Sequence, residues 1–268
     1  MTPERPDPAG DAIVARLRAA GCVFAEDEAA LLLAAGRSGT DLDDLVAERV
    51  SGRPLEYVLG WAEFAGLRIP VTDGVFVPRR RSELLARLAA DRARTTGRTG
   101  RVPVVVDLCC GAGALGAAVA AAVPGVELHA TDIDPAAVEC ARRAIAPFAG
   151  RVYAGDLYHA LPGDLRGRVD VLVVNAPYVP TGEIAFMPAE ARNFEHPTAL
   201  DGGPDGLEVL GRAVAGAAAW LAPAGTVLAE CAEHQSTELA GLVTAAGLTA
   251  TVHRDDDLDA TAVTGRRP

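Results

Sequence analysis

The sequence predicts an α/β fold: a doubly wound, mostly parallel sheet with an antiparallel edge strand, after a small helical domain and a β-hairpin linker. From Val102 onward, apolar runs typical of buried strands alternate with helical patterns. Two of these runs lead into segments with candidate ligand-binding or catalytic residues, Asp107–Gly113 and Asn175–Tyr178. Two late strand patterns flank the acidic turn Asp255–Asp259, which indicates a closing hairpin and hence one antiparallel edge.

Residues 1–60 predict the helical domain. Apolar side chains recur at helical spacing from Asp11 to about Ser51, too few for a large core. These side chains and the glycine breakers between them are Leu17, Ala20, Leu31, Leu32, Leu42, Leu45 and Val46, with Gly21, Gly36 and Gly39. Residues 61–101 predict the linker, in which Glu63–Val77 forms a hairpin, Ser82–Arg94 a helix and Thr95–Arg101 a loop.

Residues 102–268 predict the main domain. Its expected strands are Val104–Leu108, Glu127–Thr131, Arg151–Ala154, Val169–Val174, Thr226–Glu230, Thr249–His253 and Ala260–Thr264. Its expected helices are Ala114–Ala122, Pro135–Ile145, Asp205–Leu221 and Ser236–Ala246. Because ligands bind at the carboxyl ends of the strands in such sheets, the loops after the strands are the candidate sites.

Composition narrows the class of protein. The net charge of −11 makes free duplex nucleic acid a poor partner. No apolar stretch reaches about 18 residues without a charge, so no membrane span is expected. The N-terminus lacks the basic-then-apolar order of a secretory signal, and the odd number of cysteines suits reduced thiols, so we expect a cytoplasmic protein. The cysteines are Cys22, Cys109, Cys110, Cys140 and Cys231.

The glycine loop Gly111–Gly116 fits two cofactors. With Asp132 at the end of the next strand, it matches the dinucleotide fingerprint of an NAD-dependent oxidoreductase. However, Asp107-Leu108-Cys109-Cys110 precedes the first glycine and makes this loop longer than the dinucleotide loop, and a carboxylate there would repel a pyrophosphate. The same carboxylate favours the positively charged S-adenosylmethionine, which carries no phosphate. A glycine-rich turn without any ligand is the plain structural alternative.

Asp156 and Leu157 follow the third strand of the main domain. A carboxylate at that position is able to accept a hydrogen bond from an adenine amino group, with the leucine side chain against the ring. A lone loop aspartate also commonly forms a turn or caps a helix, so only its place in the series of strand ends favours the cofactor.

The loop Asn175–Tyr178 suits a planar NH2 group. An amide nitrogen is a poor nucleophile, and two acceptors on its two N–H groups would turn its lone pair toward a methyl donor. Asn175 Oδ1 supplies one acceptor and the main-chain carbonyl of Ala176 the other. Pro177 stiffens the loop, and Tyr178 is able to pack flat against the amide. The structural alternative is an ordinary strand-end turn.

These motifs resemble the bacterial protein-(glutamine-N5) methyltransferases that modify peptide-chain release factors. The resemblance covers about Gly52 to Gly265. Its motifs are Gly52–Tyr57 with Gly60, Glu63 and Phe64, Val77–Arg79 with Glu83–Leu85, Asp107 and Leu108 with the glycines that follow, Thr131–Asp134, Asn175–Tyr178, Ala199–Gly203 and Asp205–Leu207. It implies a methyltransferase domain behind a small helical domain, and a protein substrate with an exposed glutamine.

The resemblance also implies the residues of the site. The cofactor S-adenosylmethionine would contact Asp107, Cys109, Cys110, Gly111, Ala112, Gly113, Asp132, Ile133, Asp156, Leu157 and Asn175. The substrate would contact Arg79 and the loop of Asn175, Ala176, Pro177 and Tyr178, and these four loop residues would carry the reaction. No metal is implied, because the five histidines show no ligand spacing. The long loop after Tyr178, which contains Glu190, Arg192 and Glu195, is expected to form a substrate lid.

Three departures from the family pattern bear on the substrate. Ala176 replaces a proline, Cys109-Cys110 replaces Gly-Thr, and Arg79–Ser82 replaces Arg-Pro-acid-Thr. They suggest a paralogue whose protein substrate need not be a release factor. An adenine-N6 or small-molecule amino-group methyltransferase and a non-catalytic cofactor-binding module therefore stay open beside the NAD-dependent alternative.

Overall fold

The computed structural model describes residues 8–36 and 41–268. The chain divides into two compact units, Met1–Trp61 and Ala62–Pro268. The first unit is helical, as the sequence predicts, and the second contains the sheet and every described residue of the candidate site. Gly39, predicted as a helix breaker, lies outside the described residues.

The first unit contains the helices α1 Pro8–Ala19, α2 Ala25–Gly36, α3 Leu42–Val50 and α4 Leu55–Leu59. Leu17, Leu32 and Val46 are fully buried in its core. Arg49 crosses this core to Glu28, with Nε–Oε2 and Nη2–Oε1 distances of 2.7 and 3.2 Å. The two charged groups are therefore paired in the bidentate geometry that burial requires.

The hairpin is shorter than the sequence predicts. Its strands are β1 Trp61–Phe64 and β2 Leu67–Pro70. The expected second strand ran on to Val77, but Pro70 has no N–H for further pairing and Val75 N donates to Thr72 O in a turn. The following helix α5 Glu83–Gly97 begins one residue later and runs three residues further than expected.

The larger unit is built on a seven-stranded sheet in the order β5-β4-β3-β6-β7-β9-β8, in which β9 is antiparallel to both neighbours. The strands are β3 Val104–Leu108, β4 Glu127–Asp132, β5 Arg151–Ala154, β6 Val169–Val174, β7 Leu221–Cys231, β8 Thr249–Asp255 and β9 Ala260–Arg266. Helices cover both faces of the sheet. In one group, α6 Ala114–Ala122 contacts both α5 and α7 Pro135–Ile145. In the other, α9 Glu208–Trp220 contacts α10 Ser236–Ala245. The short helix α8 Ala189–Phe194 lies in the long connection after β6. The predicted fold class is confirmed.

The largest differences from expectation in the larger unit are at the starts of α9 and β7, whereas β4, β7, β8, β9, α9 and α10 end only one or two residues from the predicted positions. Helix α9 begins at Glu208 because Asp205 and Gly206 form a turn, in which Asp205 Oδ1 accepts from Leu207 N at 2.9 Å and Gly206 has a φ of 76°. Strand β7 begins at Leu221 because that residue already pairs with Val169 across an irregularity in the ladder.

The order of the strands positions the candidate site. The chain runs from β3 outward through β4 and β5, and then returns to β6 on the opposite side of β3. Consecutive connections thus diverge between β3 and β6, which opens a crevice at the carboxyl ends of these two strands. Leu108 pairs with Val174, so the glycine loop and the Asn175 loop leave the sheet side by side.

Gly113 tests how tightly the glycine loop packs against helix α7. Its φ is 80°, and a Cβ there would lie 2.9 Å from the main-chain Cα of Ala141. We expect Gly113→Ala to lower the free energy of unfolding by about 2–4 kcal/mol. The measurement is urea unfolding of the purified protein.

The matched control is Gly241→Ala in α10, where a Cβ meets no atom within 4 Å. That change should stabilise the protein by about 0.5–1 kcal/mol, because alanine is the better helix former. Equal unfolding midpoints for the two variants would show that the approach of α7 to the loop is unimportant.

Candidate active site

A cavity of about 620 Å³ opens at the carboxyl ends of β3, β4, β5 and β6. It brings together most of the residues that the sequence predicts for the site. Those on its wall are Arg79, Cys109, Cys110, Gly111, Ala112, Asp132, Ile133, Asp156, Leu157, Asn175, Ala176, Pro177 and Tyr178. Asp107 and Gly113 are predicted site residues that do not line the cavity.

The glycine loop is held by main-chain hydrogen bonds and by Asp132. Cys110 N donates to Thr131 O at 3.0 Å, and Gly111 N donates to Asp132 Oδ2 at 2.8 Å. Cys109 and Gly111 have φ angles of 55° and 52°. A Cβ at Gly111 would meet no atom within 4 Å, so the loop presents open space above its backbone. The loop is therefore shaped for the close approach of a ligand to main chain.

The paired cysteines act as small packing residues in this loop. Cys110 is buried, and burial raises the pKa of both thiols well above the ordinary value. The nearby carboxylates of Asp132 and Asp107 raise these pKa values further. Both side chains are therefore neutral thiols rather than reactive thiolates at physiological pH.

Asp107 is a buried carboxylate behind the glycine loop. Its Oδ2 accepts from Gly116 N at 2.8 Å, whereas its Oδ1 has no hydrogen-bond partner among the described residues. Burial above all, with a smaller contribution from the charge of Asp132, raises the pKa of Asp107 to about 7, although the Gly116 N–H acts in the opposite direction. A positive charge near the loop would favour the ionised form. The geometry therefore suits a cationic ligand and not a pyrophosphate.

The ends of β4 and β5 supply polar and apolar groups to the same cavity. Asp132 Oδ1 accepts from Asp134 N at 3.0 Å, and burial raises the pKa of Asp132. The next side chain, Ile133, is 63% exposed although it is large and apolar. An exposed isoleucine on a cavity wall suits a flat ring. At the end of β5, Asp156 forms an ion pair with Arg212, a wall residue of α9 that sequence reasoning missed.

The Asn175 loop is fixed by side chains from distant parts of the chain. Asn175 Nδ2 donates to Ser82 Oγ at 3.1 Å, which leaves Asn175 Oδ1 as an acceptor. The main-chain carbonyl of Ala176 accepts no hydrogen bond from the described residues. The hydroxyl of Tyr178 donates to Glu230 Oε1 at 3.0 Å, and its carbonyl accepts from Gln235 Nε2 at 2.9 Å.

Two glycines of the segment Asp201–Gly206 pack directly on this loop. A Cβ at Gly202 would lie 2.8 Å from the carbonyl oxygen of Pro177, and one at Gly206 would lie 2.2 Å from that of Tyr178. Because such distances are shorter than any real contact, only glycine fits at either position. The segment thus acts as a backbone support for the loop.

Glu230 is a buried acid that sequence reasoning placed at a strand end without a role. It ends the predicted strand Thr226–Glu230, on the side of the sheet where the carboxyl ends of the parallel strands lie. Glu230 is only 3% exposed. Burial raises its pKa, while the Ser82 hydroxyl and the Arg81 guanidinium act in the opposite direction. A charged residue at the end of an apolar strand pattern is the signal that would have identified it.

The predicted lid is fastened to the segment before α5. Glu195 is 5% exposed, accepts from Val77 N at 3.2 Å and forms an ion pair with Arg79. His196 N donates to Gly74 O at 2.9 Å. Met187 of the same connection lines the cavity. The structure thus places Arg79 on the wall, with its guanidinium engaged by the lid.

Two kinds of feature are absent from the described residues. No group of three or more His, Cys, Asp or Glu side chains in residues 8–36 and 41–268 is arranged to hold a metal ion. In the same residues, no helix has the length and apolar character needed to cross a membrane.

Comparison with known proteins agrees with this geometry. Residues 82–192 match the family described as the Methyltransferase small domain. The fold resembles the 16S rRNA N2 G1207 methyltransferase of T. thermophilus, with a TM-score of 0.53, 20% identity and coverage of 78% of this chain and 50% of that one. The sheet, the glycine loop and the Asn175 loop define a methyltransferase of the S-adenosylmethionine-dependent class.

Two relatives of known class narrow the assignment. The release factor glutamine methyltransferase of Streptomyces coelicolor is 35% identical over 201 residues, which cover 75% of this chain and 70% of that protein. The 4-amino-L-phenylalanine/4-methylamino-L-phenylalanine methyltransferase of Streptomyces pristinaespiralis is 35% identical over 203 residues, which cover 75% and 69%. The chain belongs to the release factor glutamine methyltransferase family. This assignment selects the methyl donor over NAD as the cofactor of the glycine loop.

The raised pKa of Asp107 makes a prediction about stability. Because the pKa of this carboxyl group is higher in the folded than in the unfolded protein, its ionisation lowers the free energy of unfolding of the protein as the pH rises from about 4 to about 7. Asp107→Asn removes this loss and keeps an oxygen for Gly116 N. Its stability relative to the parent protein should therefore grow by roughly 2–3 kcal/mol between pH 5 and pH 8.

The measurement is chemical unfolding of both proteins at the two pH values, without ligand. A second readout is the affinity for S-adenosylhomocysteine, which the same substitution should not improve. A stability difference that does not depend on pH would mean that Asp107 titrates normally.

Proposed function

We propose that the chain transfers a methyl group from S-adenosylmethionine to the side-chain amide nitrogen of a glutamine in a protein, a release factor or a related protein. One observation carries this proposal: Asn175 is fixed through its Nδ2 on Ser82, so that its Oδ1 and the Ala176 carbonyl remain as acceptors beside the glycine loop. Family membership supports the same reaction.

The cavity fits S-adenosylmethionine in volume and in the chemistry of its wall. Its 620 Å³ lies within the range of roughly 300–1,000 Å³ that small-ligand pockets occupy. The open backbone at Gly111 and the ionisable Asp107 suit the cationic methionine end. Asp132 suits ribose hydroxyls, and Ile133, Leu157 and the Asp156 carboxylate suit an adenine ring. When bound, the cofactor supplies an electrophilic methyl group on a sulfonium.

The protein's own contribution is to orient a weak nucleophile. Asn175 Oδ1 and the Ala176 carbonyl accept the two N–H groups of the substrate amide and so turn the nitrogen lone pair toward the glycine loop. Tyr178 offers a ring face that is held in place by Glu230 and Gln235. Orientation of this kind contributes several kcal/mol and at most roughly 7–11. The alkylated nitrogen is acidic enough to lose its proton without a strong general base.

A second candidate substrate is the aromatic amine of a free amino acid. The Streptomyces pristinaespiralis relative, which is named for such a substrate, is as similar to this chain as the Streptomyces coelicolor relative. The two acceptors of the Asn175 loop would hold an aniline NH2 equally well. The substrates differ in what surrounds the nitrogen: a folded protein in one case, a single charged amino acid in the other.

A bacterial release factor as partner implies a cytoplasmic location. The net charge of −11 supports a protein partner over free duplex nucleic acid, because phosphate contacts need a basic surface.

A competition between acceptors tests the function. The purified chain is incubated with labelled S-adenosylmethionine and one of three acceptors. These are a release factor, the same release factor with its methyl-accepting glutamine changed to alanine, and 4-amino-L-phenylalanine. Label on the first acceptor alone supports the proposal. Label on the free amino acid alone supports the second candidate, and transfer to neither would overturn both.

Asn175 gives the sharpest prediction about the loop. Asn175→Ala should reduce methyl transfer by a factor on the order of 100 or more, because it removes one preorganised acceptor. Cofactor affinity should change much less, and Asn175→Asp should keep part of the activity because a carboxylate also accepts. The measurement is single-turnover methyl transfer, with cofactor binding followed by calorimetry.

The matched control is Ala176→Pro, which should be nearly silent because the required group is a main-chain carbonyl and proline keeps it. A near-normal rate for Asn175→Ala would reduce the loop to an ordinary turn and remove the catalytic interpretation.

A further inference from the structure

Ser82 meets the Asn175 side chain from a different part of the chain. It lies in the short 3-10 turn Arg80–Ser82 that leads into α5, and it is 2% exposed. Its Oγ accepts from Asn175 Nδ2 at 3.1 Å and also lines the cavity. The site therefore includes a buried hydroxyl from far upstream in the sequence.

The two ends of an amide side chain have opposite hydrogen-bonding character. The oxygen only accepts and the nitrogen only donates, so the partners of the amide decide which end faces a substrate. Without an acceptor on Nδ2, rotation by half a turn would present the NH2 of Asn175 to the NH2 of the substrate. Two donors would then face each other, and the substrate nitrogen would lose the acceptor that orients it.

The Ser82 hydroxyl lies in the same buried polar region as Glu230. Glu230 Oε1 accepts from the Tyr178 hydroxyl at 3.0 Å, and Arg81 Nε lies 3.6 Å from the same oxygen. The nearby Ser82 hydroxyl lowers the pKa of Glu230, against the effect of burial. Two residues thus hold the two ends of the loop, Ser82 at Asn175 and Glu230 at Tyr178.

We propose that Ser82 is a positioning residue that sets the orientation of the Asn175 amide. The inference rests on the proposed function, in which Asn175 Oδ1 accepts from the substrate nitrogen. Ser82 acts through Asn175, so it governs the rate of transfer and not the affinity for the cofactor.

The test compares substitutions at Ser82 in single-turnover methyl transfer to the acceptor that the parent enzyme labels. Ser82→Ala should lower the rate by roughly 10-fold to 100-fold, with cofactor affinity and thermal midpoint changed little. Ser82→Thr keeps the hydroxyl and should restore most of the rate. Ser82→Cys keeps the size but is a weak acceptor, so its rate should lie between the two, which gives a second variant if threonine does not fold.

A double mutant separates positioning from general structural damage. In the Asn175→Ala background, Ser82→Ala should cause no further loss, because the amide that it orients is gone. The control is Ser236→Ala, which changes another buried serine, 3% exposed, at the start of α10 and away from the cavity. That variant should transfer methyl groups at the parent rate.

The outcomes distinguish this inference from the function beneath it. A parent-like rate for Ser82→Ala beside an inactive Asn175→Ala would overturn the role of Ser82 and leave the proposed function intact. An equal further loss from Ser82→Ala in the Asn175→Ala background would also overturn it. An active Asn175→Ala would overturn both.

Discussion

The parallel pairing of β3 with β6 is the constraint on which the rest of the site depends. Leu108 and Val174 end their strands 66 residues apart in the chain, yet the register pairs them directly. The two loops that follow these residues therefore leave the sheet as neighbours. One loop is glycine-rich and offers open backbone, and the other offers acceptors. A shift of this register by one residue would turn the side chains of β6 to the opposite faces of the sheet and separate the two halves.

Three acids that are buried or half-buried lie near the carboxyl ends of β3, β4 and β7, and each accepts hydrogen bonds from defined donors. Asp107 receives the N–H of Gly116, Asp132 receives those of Gly111 and Asp134, and Glu230 receives the Tyr178 hydroxyl. Burying a carboxylate is expensive, and these hydrogen bonds offset only part of the free energy lost on desolvation. The raised pKa values of all three show that desolvation remains the larger effect. Carboxylates whose desolvation is only partly offset by hydrogen bonds favour a positively charged ligand nearby.

The sequence predicts what is local and misses what depends on pairing between distant segments. The bounds of β3, β5 and β6 agree with expectation because the local sequence marks where each strand stops: Gly155 follows β5, Asn175 follows β6, and the cysteine pair with the glycines after it follows β3. The Asn175 loop is recognisable for the same reason. Ser82 and Arg212 carry no local signal, because a serine at a helix start and an arginine on a helix are ordinary surface choices. Only the folded sheet brings them to the cavity.

The acceptor at position 176 belongs to the backbone, and this has a consequence for how the family diversifies. A main-chain carbonyl is present whatever side chain stands there, so alanine or proline can alternate at that position without altering the chemistry of the loop. Gly202 and Gly206 are the reverse case, since any side chain at either position would collide with the loop. Directed evolution toward new acceptors would therefore find a tolerant position at 176 and fixed positions in the glycine support. A sequence motif defined by residue identity alone would therefore overlook family members that keep the geometry of the loop but have other residues in it.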